Sequence, residues 1–238
     1  MIREAAHYDH LRWDADSNHW IEAKRVIGST RVTLGPQASQ QYLDAPEHLA
    51  MVLARYRAAA ALIGGVRRVR EVGSGEGIGA GILAQGREMY EGFDTDRDAV
   101  AIAQEQYRNR PEMRFTAEDI TKNRAVSGYL DAVVALDVIE HIPPSLEEAF
   151  MRGMRGSLYC ENGHEMCVIG TPNAAFDHLA SPQSRAGHIN TFTHERLHAL
   201  MRRYFHVVQS FGMQDTGLHL GHPDARHYLL MCGIGPKR

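Results

Sequence analysis

The chain has 238 residues, 44% of them hydrophobic and 23% charged, with a formal net charge of −3. That length suits one α/β domain with an extension and a full core, and the slightly acidic balance excludes a global positive field that would gather nucleic acid. No apolar run approaches a membrane span or the core of a signal peptide, and three cysteines without metal-type spacing read as free thiols of a reducing, cytoplasmic setting.

The first 65 residues precede the patterned part of the chain. Their opening mixes Trp13, Trp20, His10 and His19 with charges and shows little period. Gly35-Pro36 reads as a chain break. Asp44-Ala45-Pro46-Glu47 reads as a helix start, with a capping acid and a proline in the first turn. Leu49, Val52, Leu53, Tyr56, Ala60 and Ile63 then recur at helical spacing up to the stop at Gly64-Gly65. Such a helix either caps a sheet or closes over a ligand.

Beyond it strands and helices alternate, which is the mark of a doubly wound parallel sheet. Strands are expected near 67–72, 89–93, 112–116, 130–136 and 165–170, and helices near 77–86, 96–109 and 145–155. Residues 174–192 form a connection long enough to carry function. After Thr193, a plausible cap, Leu197, Leu200, Met201 and Tyr204 have helical period. Phe205–Val208 and Tyr228–Cys232 close the chain as an antiparallel strand pair, joined through a glycine-rich loop at 217–223.

The stretch Val69-Arg70-Glu71-Val72-Gly73-Ser74-Gly75-Glu76-Gly77-Ile78-Gly79 carries the most information. An apolar run, an acid and alternating glycines describe a strand that turns sharply into a helix where a ligand approaches bare backbone. Asp94 closes the next strand roughly twenty residues after Glu71, the spacing at which a carboxylate meets a ribose diol. The site is therefore one for an adenosine-containing cofactor. Gly75-Glu76-Gly77-Ile78-Gly79-Ala80 also fits a dinucleotide fingerprint, but Glu71 would repel a pyrophosphate and suits an ammonium and a sulfonium. S-adenosylmethionine has both.

These motifs resemble the class I S-adenosylmethionine-dependent methyltransferases over roughly Val66 to Gly233. The resemblance implies a Rossmann-like α/β fold, a seven-stranded doubly wound sheet, mostly parallel with a C-terminal antiparallel strand pair. It divides the chain into an N-terminal helical extension or lid (1–65) and a methyltransferase domain (66–238). Glu71, Gly73, Ser74, Gly75 and Gly77 fall on the first motif, and Asp94 with Thr95 on the ribose-binding strand end. Phe115-Thr116-Ala117-Glu118-Asp119-Ile120 resembles the third-strand motif, which places Asp119 at the adenine amino group and the Ile120 amide at the ring. Leu136 opens the fourth-strand motif Leu136-Asp137-Val138-Ile139-Glu140-His141, which is similar to that of ubiquinone-type O-methyltransferases. Gly170-Thr171-Pro172-Asn173 resembles the turn after the fifth strand.

Methyl transfer from a sulfonium is an in-line displacement, so an acceptor hydroxyl must be aligned and relieved of its proton. Asp137, Glu140 and His141 stand where the transferable methyl should project, and His188 lies in the long connection. In ubiquinone-type O-methyltransferases, and in small-RNA 3′-terminal 2′-O-methyltransferases, similar residues hold a divalent metal. The resemblance thus makes Glu140, His141 and His188 candidate metal ligands and His141, Asp137 and His188 candidate catalytic groups. His141 as a base without metal, or merely packed, is the alternative. The departure is Asp137, where both families usually show glutamate.

Ser181–His188 is polar, favouring a polar small molecule or sugar and glycan unit over a prenylated quinone, and Arg185 can meet an anionic group on it. His219, His222 and His227 surround the glycine-rich loop. RNA 2′-O-methylation and a non-catalytic cofactor-binding partner subunit are the competing functions, and a homodimer is an open assembly state.

Overall fold

The computed structural model describes residues 34–122, 128–220 and 226–237, together with Ala23, Arg25 and Val32. Trp13, Trp20, His10, His19 and His222 lie outside the described residues. The chain divides into two compact units, Met1–Thr33 and Leu34–Arg238, and the sheet and its helices belong to the second.

An eight-stranded sheet in the order β3-β2-β1-β4-β5-β8-β6-β7 forms the centre of that unit. Strands β1 (Arg68–Val72), β2 (Met89–Asp94), β3 (Met113–Ala117), β4 (Ala132–Leu136) and β5 (Met166–Pro172) run parallel. β8 (Tyr228–Pro236) pairs antiparallel with both β5 and β6 (Phe205–Gln214). This is the expected doubly wound plan with one strand more. β7 (Gly217–Leu220) lies where the glycine pattern predicts a loop, and it pairs antiparallel with the end of β6.

The inner strands are apolar throughout because both sheet faces are covered. Along β4, Ala132, Val134 and Leu136 join one core and Val133 and Ala135 the other, all at most 4% exposed. The first core is completed by α2 (Pro46–Leu62), α3 (Ala80–Leu83) and α4 (Arg97–Gln106). The second is completed by α5 (Glu147–Gly156) and α7 (His194–Tyr204), through Phe150, Met151, Met154, Leu197 and Met201. Thr193 caps α7 as expected, its Oγ1 accepting from the Arg196 amide at 3.3 Å.

Three local expectations are corrected. Gly35-Pro36 does not break the chain but opens a helix, α1 (Pro36–Asp44), because proline at the first helical position lacks only an amide that has no helical partner anyway. Asp44 does not cap α2: Ala45 holds that position without a side-chain bond, and Asp44 accepts from Gln40 Nε2 at 3.2 Å. The helix expected over 77–86 shortens to the four residues of α3, between Gly77 at φ +80° and Gly86 at φ +71°.

The 174–192 connection leaves and returns at one point. The Ala174 amide donates to Phe192 O at 2.9 Å, and the Phe192 side chain is fully buried. Within it lie a 3₁₀ segment, Ala174–Leu179, and α6 (Pro182–Gly187), capped by Ser181 Oγ on the Ser184 amide at 3.0 Å. The Asn190 amide donates to Glu140 O at 3.0 Å, pinning the end of the excursion to the turn after β4.

Candidate functional site

The motif residues gather at the carboxyl ends of β1 to β5, the edge where ligands bind in open α/β sheets. The glycine turn after β1 is tight. At Gly73 φ is +80°, and an added Cβ would stand 2.2 Å from Val138 Cγ2, so the turn packs against the segment following β4. An added Cβ at Gly79 would lie 2.0 Å from the Tyr56 ring. Asp94 braces the turn: Oδ2 accepts from the Gly75 amide at 2.7 Å and Oδ1 from the Asp96 amide at 2.9 Å. Thr95 beside it is exposed.

Glu71 is 1% exposed, with Oε1 accepting from the Tyr56 hydroxyl at 2.7 Å and Oε2 from the Tyr90 hydroxyl. Burial pushes its carboxyl up to about 7, against the opposing pull of the two tyrosines. Both oxygens are thus engaged by the protein, and the acid ties α2 to the strand that leads into the glycine turn. Ser74 is buried and its Oγ has no partner. Asp119 Oδ1 accepts from the Thr121 hydroxyl at 2.6 Å and Oδ2 pairs with Lys122 at 2.9 Å, holding the carboxyl below its ordinary range. Ile120 and Leu136 are buried beside the second and first cores.

Past β4 the backbone turns abruptly. Asp137 takes φ +56°, unusual for a residue with a side chain, and its amide donates to Gly170 O at 3.0 Å. A 3₁₀ turn, Ile139–His141, follows. It presents Glu140 inward, 1% exposed, and His141 outward. Glu140 Oε2 accepts from the Thr171 hydroxyl at 3.0 Å, while Oε1 is buried without a partner. Burial and the nearby Asp137 charge push the Glu140 carboxyl up to about 8.

His141 Nδ1 donates to Gly187 O at 2.9 Å, which leaves Nε2 with its lone pair. The His188 ring stands edge-on at 5.1 Å between centroids, and burial, then the neighbouring His141 imidazole, lowers its pKa. One ligand atom from each of Glu140, His141 and His188 lies within 4.8 Å of the others. The expected triplet is brought together, then, but Asp137 stands apart from it. Arg55 Nη1 binds both its carboxylate oxygens, at 2.8 and 2.9 Å, while the guanidinium rests 4.1 Å over the Tyr228 ring. Arg185 is exposed on α6, and His227 packs edge-on against Phe176 at 4.6 Å.

Sequence reasoning missed Arg55, Tyr56, Tyr90 and Thr171 as site residues. Arg55 and Tyr56 sit within the apolar stripe of α2 at Val52 + 3 and + 4, where an arginine beside a tyrosine was the available signal. Thr171 stands in the motif after the fifth strand, but neither it nor Tyr90 showed its partner locally, since each finds its carboxylate on a neighbouring strand or the turn after it.

Known proteins share the fold, and a family model matches part of the chain. Residues 69–161 match the family model of a methyltransferase domain. No curated protein sequence matches the chain significantly. Among solved structures, the methyltransferase domain of bacterial CtHen1 is 15% identical, covering 77% of this chain and 98% of its own, with a TM-score of 0.63. The N-methyltransferase NodS from Bradyrhizobium japonicum, in complex with S-adenosyl-L-homocysteine, is 18% identical over 83% and 91%, with a TM-score of 0.61. A methyltransferase bound to the Trm112 activator from Haloferax volcanii is 14% identical over 86% and 100%, with a TM-score of 0.63. No helix among the described residues is long and apolar enough to cross a membrane.

Proposed function

We propose that this chain, a class I S-adenosylmethionine-dependent methyltransferase, methylates a hydroxyl of a polar small molecule or a sugar or glycan unit. The observation that carries this reading is the Glu140–His141–His188 cluster at the strand end where the transferable methyl should project. The residues fit a divalent ion: a buried carboxylate oxygen lacks a partner, and one imidazole is oriented by a carbonyl so that its other nitrogen is free. Such an ion would orient the acceptor oxygen and lower its pKa. Asp94 would then take the ribose hydroxyls, Asp119 and the Ile120 amide the adenine, and the Gly73–Gly77 backbone the methionine end, between Leu136, Ser74 and Thr95. Asp137, engaged by Arg55, shapes the turn that aims Glu140 and His141.

Without a metal, His141 Nε2 accepts the acceptor's proton directly, a second reading favoured by its exposure and by the Nδ1 bond to Gly187. On the substrate side, the Glu–His–His set also favours the 2′-hydroxyl of RNA, which the net charge of −3 does not support. Of the N-terminal extension, we assign its described part, residues 34–65, the role of a lid over the cofactor. The test is methyl transfer from labelled S-adenosylmethionine to a panel of sugars, glycosides, catechols and short RNA, with and without chelator. Transfer to a sugar or other small hydroxyl compound is expected. Transfer to RNA alone would replace the substrate assignment, and cofactor binding with no turnover on any acceptor would favour a non-catalytic partner subunit.

A further inference from the structure

Glu76 is the second residue of the cofactor turn to carry a side chain. Its side chain has no part in the cofactor or acceptor contacts assigned above, yet it is bonded in a specific way. It lies between Gly75, whose amide Asp94 holds at 2.7 Å, and Gly77, whose carbonyl accepts from the Tyr107 hydroxyl at 3.0 Å. With the turn fixed on either side, the Glu76 side chain leaves it and reaches α1. Oε1 accepts from the Gln37 amide at 3.0 Å and Oε2 from the Ala38 amide at 3.2 Å.

These are the amides that a helix's own cap residue would ordinarily satisfy, and the α1 cap, Gly35, offers no side chain to do it. Pro36 has no amide, and the Ser39 amide already donates to Gly35 O at 2.8 Å, so Glu76 completes the inventory of the first turn. Its negative charge also suits the positive end of the helix. The fit depends on Gly35, where an added Cβ would stand 2.2 Å from Glu76 Cδ.

Packing does little to hold α1. Ala38 is its one buried residue, while Tyr42 and Leu43 are 57% and 78% exposed. An element with so little burial opens easily, and its attachment point decides when. That point is one residue from the amide braced by the ribose-binding acid.

We propose that Glu76 is a positioning residue that latches α1 to the glycine turn, holding α1 as a cover on the side of the cofactor site which that turn forms, so that cofactor exchange waits on the breaking of its two bonds to Gln37 and Ala38. The latch rests on the assignment of that site to S-adenosylmethionine.

The test is the kinetics of S-adenosylhomocysteine binding to the full chain and its variants. Glu76→Ala should raise both the association and the dissociation rate by about five- to ten-fold, the scale of a lost helix cap. Glu76→Gln, which keeps one acceptor oxygen, should fall between. Gly35→Ala, which forces the contact apart from the α1 side and leaves Glu76 in place, should repeat the effect, with no further gain in the double variant. Amide exchange at Gln37 and Ala38 in the ligand-free protein should rise in the same variants. A merely structural role would lower affinity through dissociation alone, so an unchanged association rate in both single variants overturns the latch. Failure of the parent protein to bind S-adenosylhomocysteine overturns the cofactor site itself, a different outcome from binding with unaltered rates.

Discussion

Arg55 Nη1 lies 2.8 Å from Asp137 Oδ2, joining the middle of α2 to the end of β4 across 82 residues. The pair explains two oddities at once. It stabilises a non-glycine residue at φ +56°, which costs about 1–2 kcal/mol in isolation, and it leaves Asp137 turned to a cation while Glu140 and the two histidines gather by themselves.

Removing Arg55 would strand the Asp137 carboxylate beside Glu140. Arg55→Ala should therefore destabilise the protein by about 1–3 kcal/mol, less than for a fully buried pair because the side chains are 16% and 31% exposed. Asp137→Gly relieves the backbone and should cost less. Denaturant unfolding of the two variants and their combination checks this. A double variant no better than the sum of its parts would show that the contact carries no coupling.

Glu71 makes stability depend on pH. Its folded carboxyl stands near 7 and its unfolded one near the ordinary 4.5, so the folded state binds the extra proton between those values. Its contribution is full below about 4.5 and lost as pH rises through about 7, at most roughly 3 kcal/mol in all. Glu71→Gln should lessen the fall of thermal stability across that window, leaving the part due to Glu140, whose carboxyl is likewise raised, and a parent-like slope in the variant would remove Glu71 as a cause.

Asp94→Ala should weaken S-adenosylhomocysteine binding by about 1–3 kcal/mol by calorimetry. On the proposed assignment the residue would supply a ribose acceptor, and it also braces the Gly75 amide, so Asp94→Asn, which keeps one oxygen for that amide, should lose less. Asp119→Ala should weaken binding less than Asp94→Ala, since one adenine contact is involved. Equal affinities across the series would displace the ribose assignment.

How far the sequence disclosed this site follows from the range of the forces involved. The sheet was legible because a strand buried on both faces, such as Ala132–Leu136, has to be apolar throughout. The glycine turn was legible because its glycines answer a local backbone need at Gly73. Asp137's partner was not, because an ion pair 82 residues apart leaves no spacing signal. Pro36 misled for a related reason: a proline that ends one segment and a proline that starts a helix look alike until the Glu76 carboxylate that completes the first turn is seen. The β6–β7 hairpin was missed because Gly217 and the polar residues beside it read as loop, while the pairing of Phe211 with Leu220 is settled by tertiary register.

The Glu140–His141–His188 cluster is the centre of the proposed chemistry, and metal-dependent turnover measures it most directly. Methyl transfer by the purified protein should vanish on chelation and return with a divalent ion, while S-adenosylhomocysteine affinity stays within about two-fold, because the ion would touch the acceptor and not the adenosine. Glu140→Ala, His141→Ala and His188→Ala should each reproduce the chelated enzyme. Full turnover in metal-free protein would contradict the metal site, and near-normal turnover in His141→Ala would contradict the central place given to that histidine.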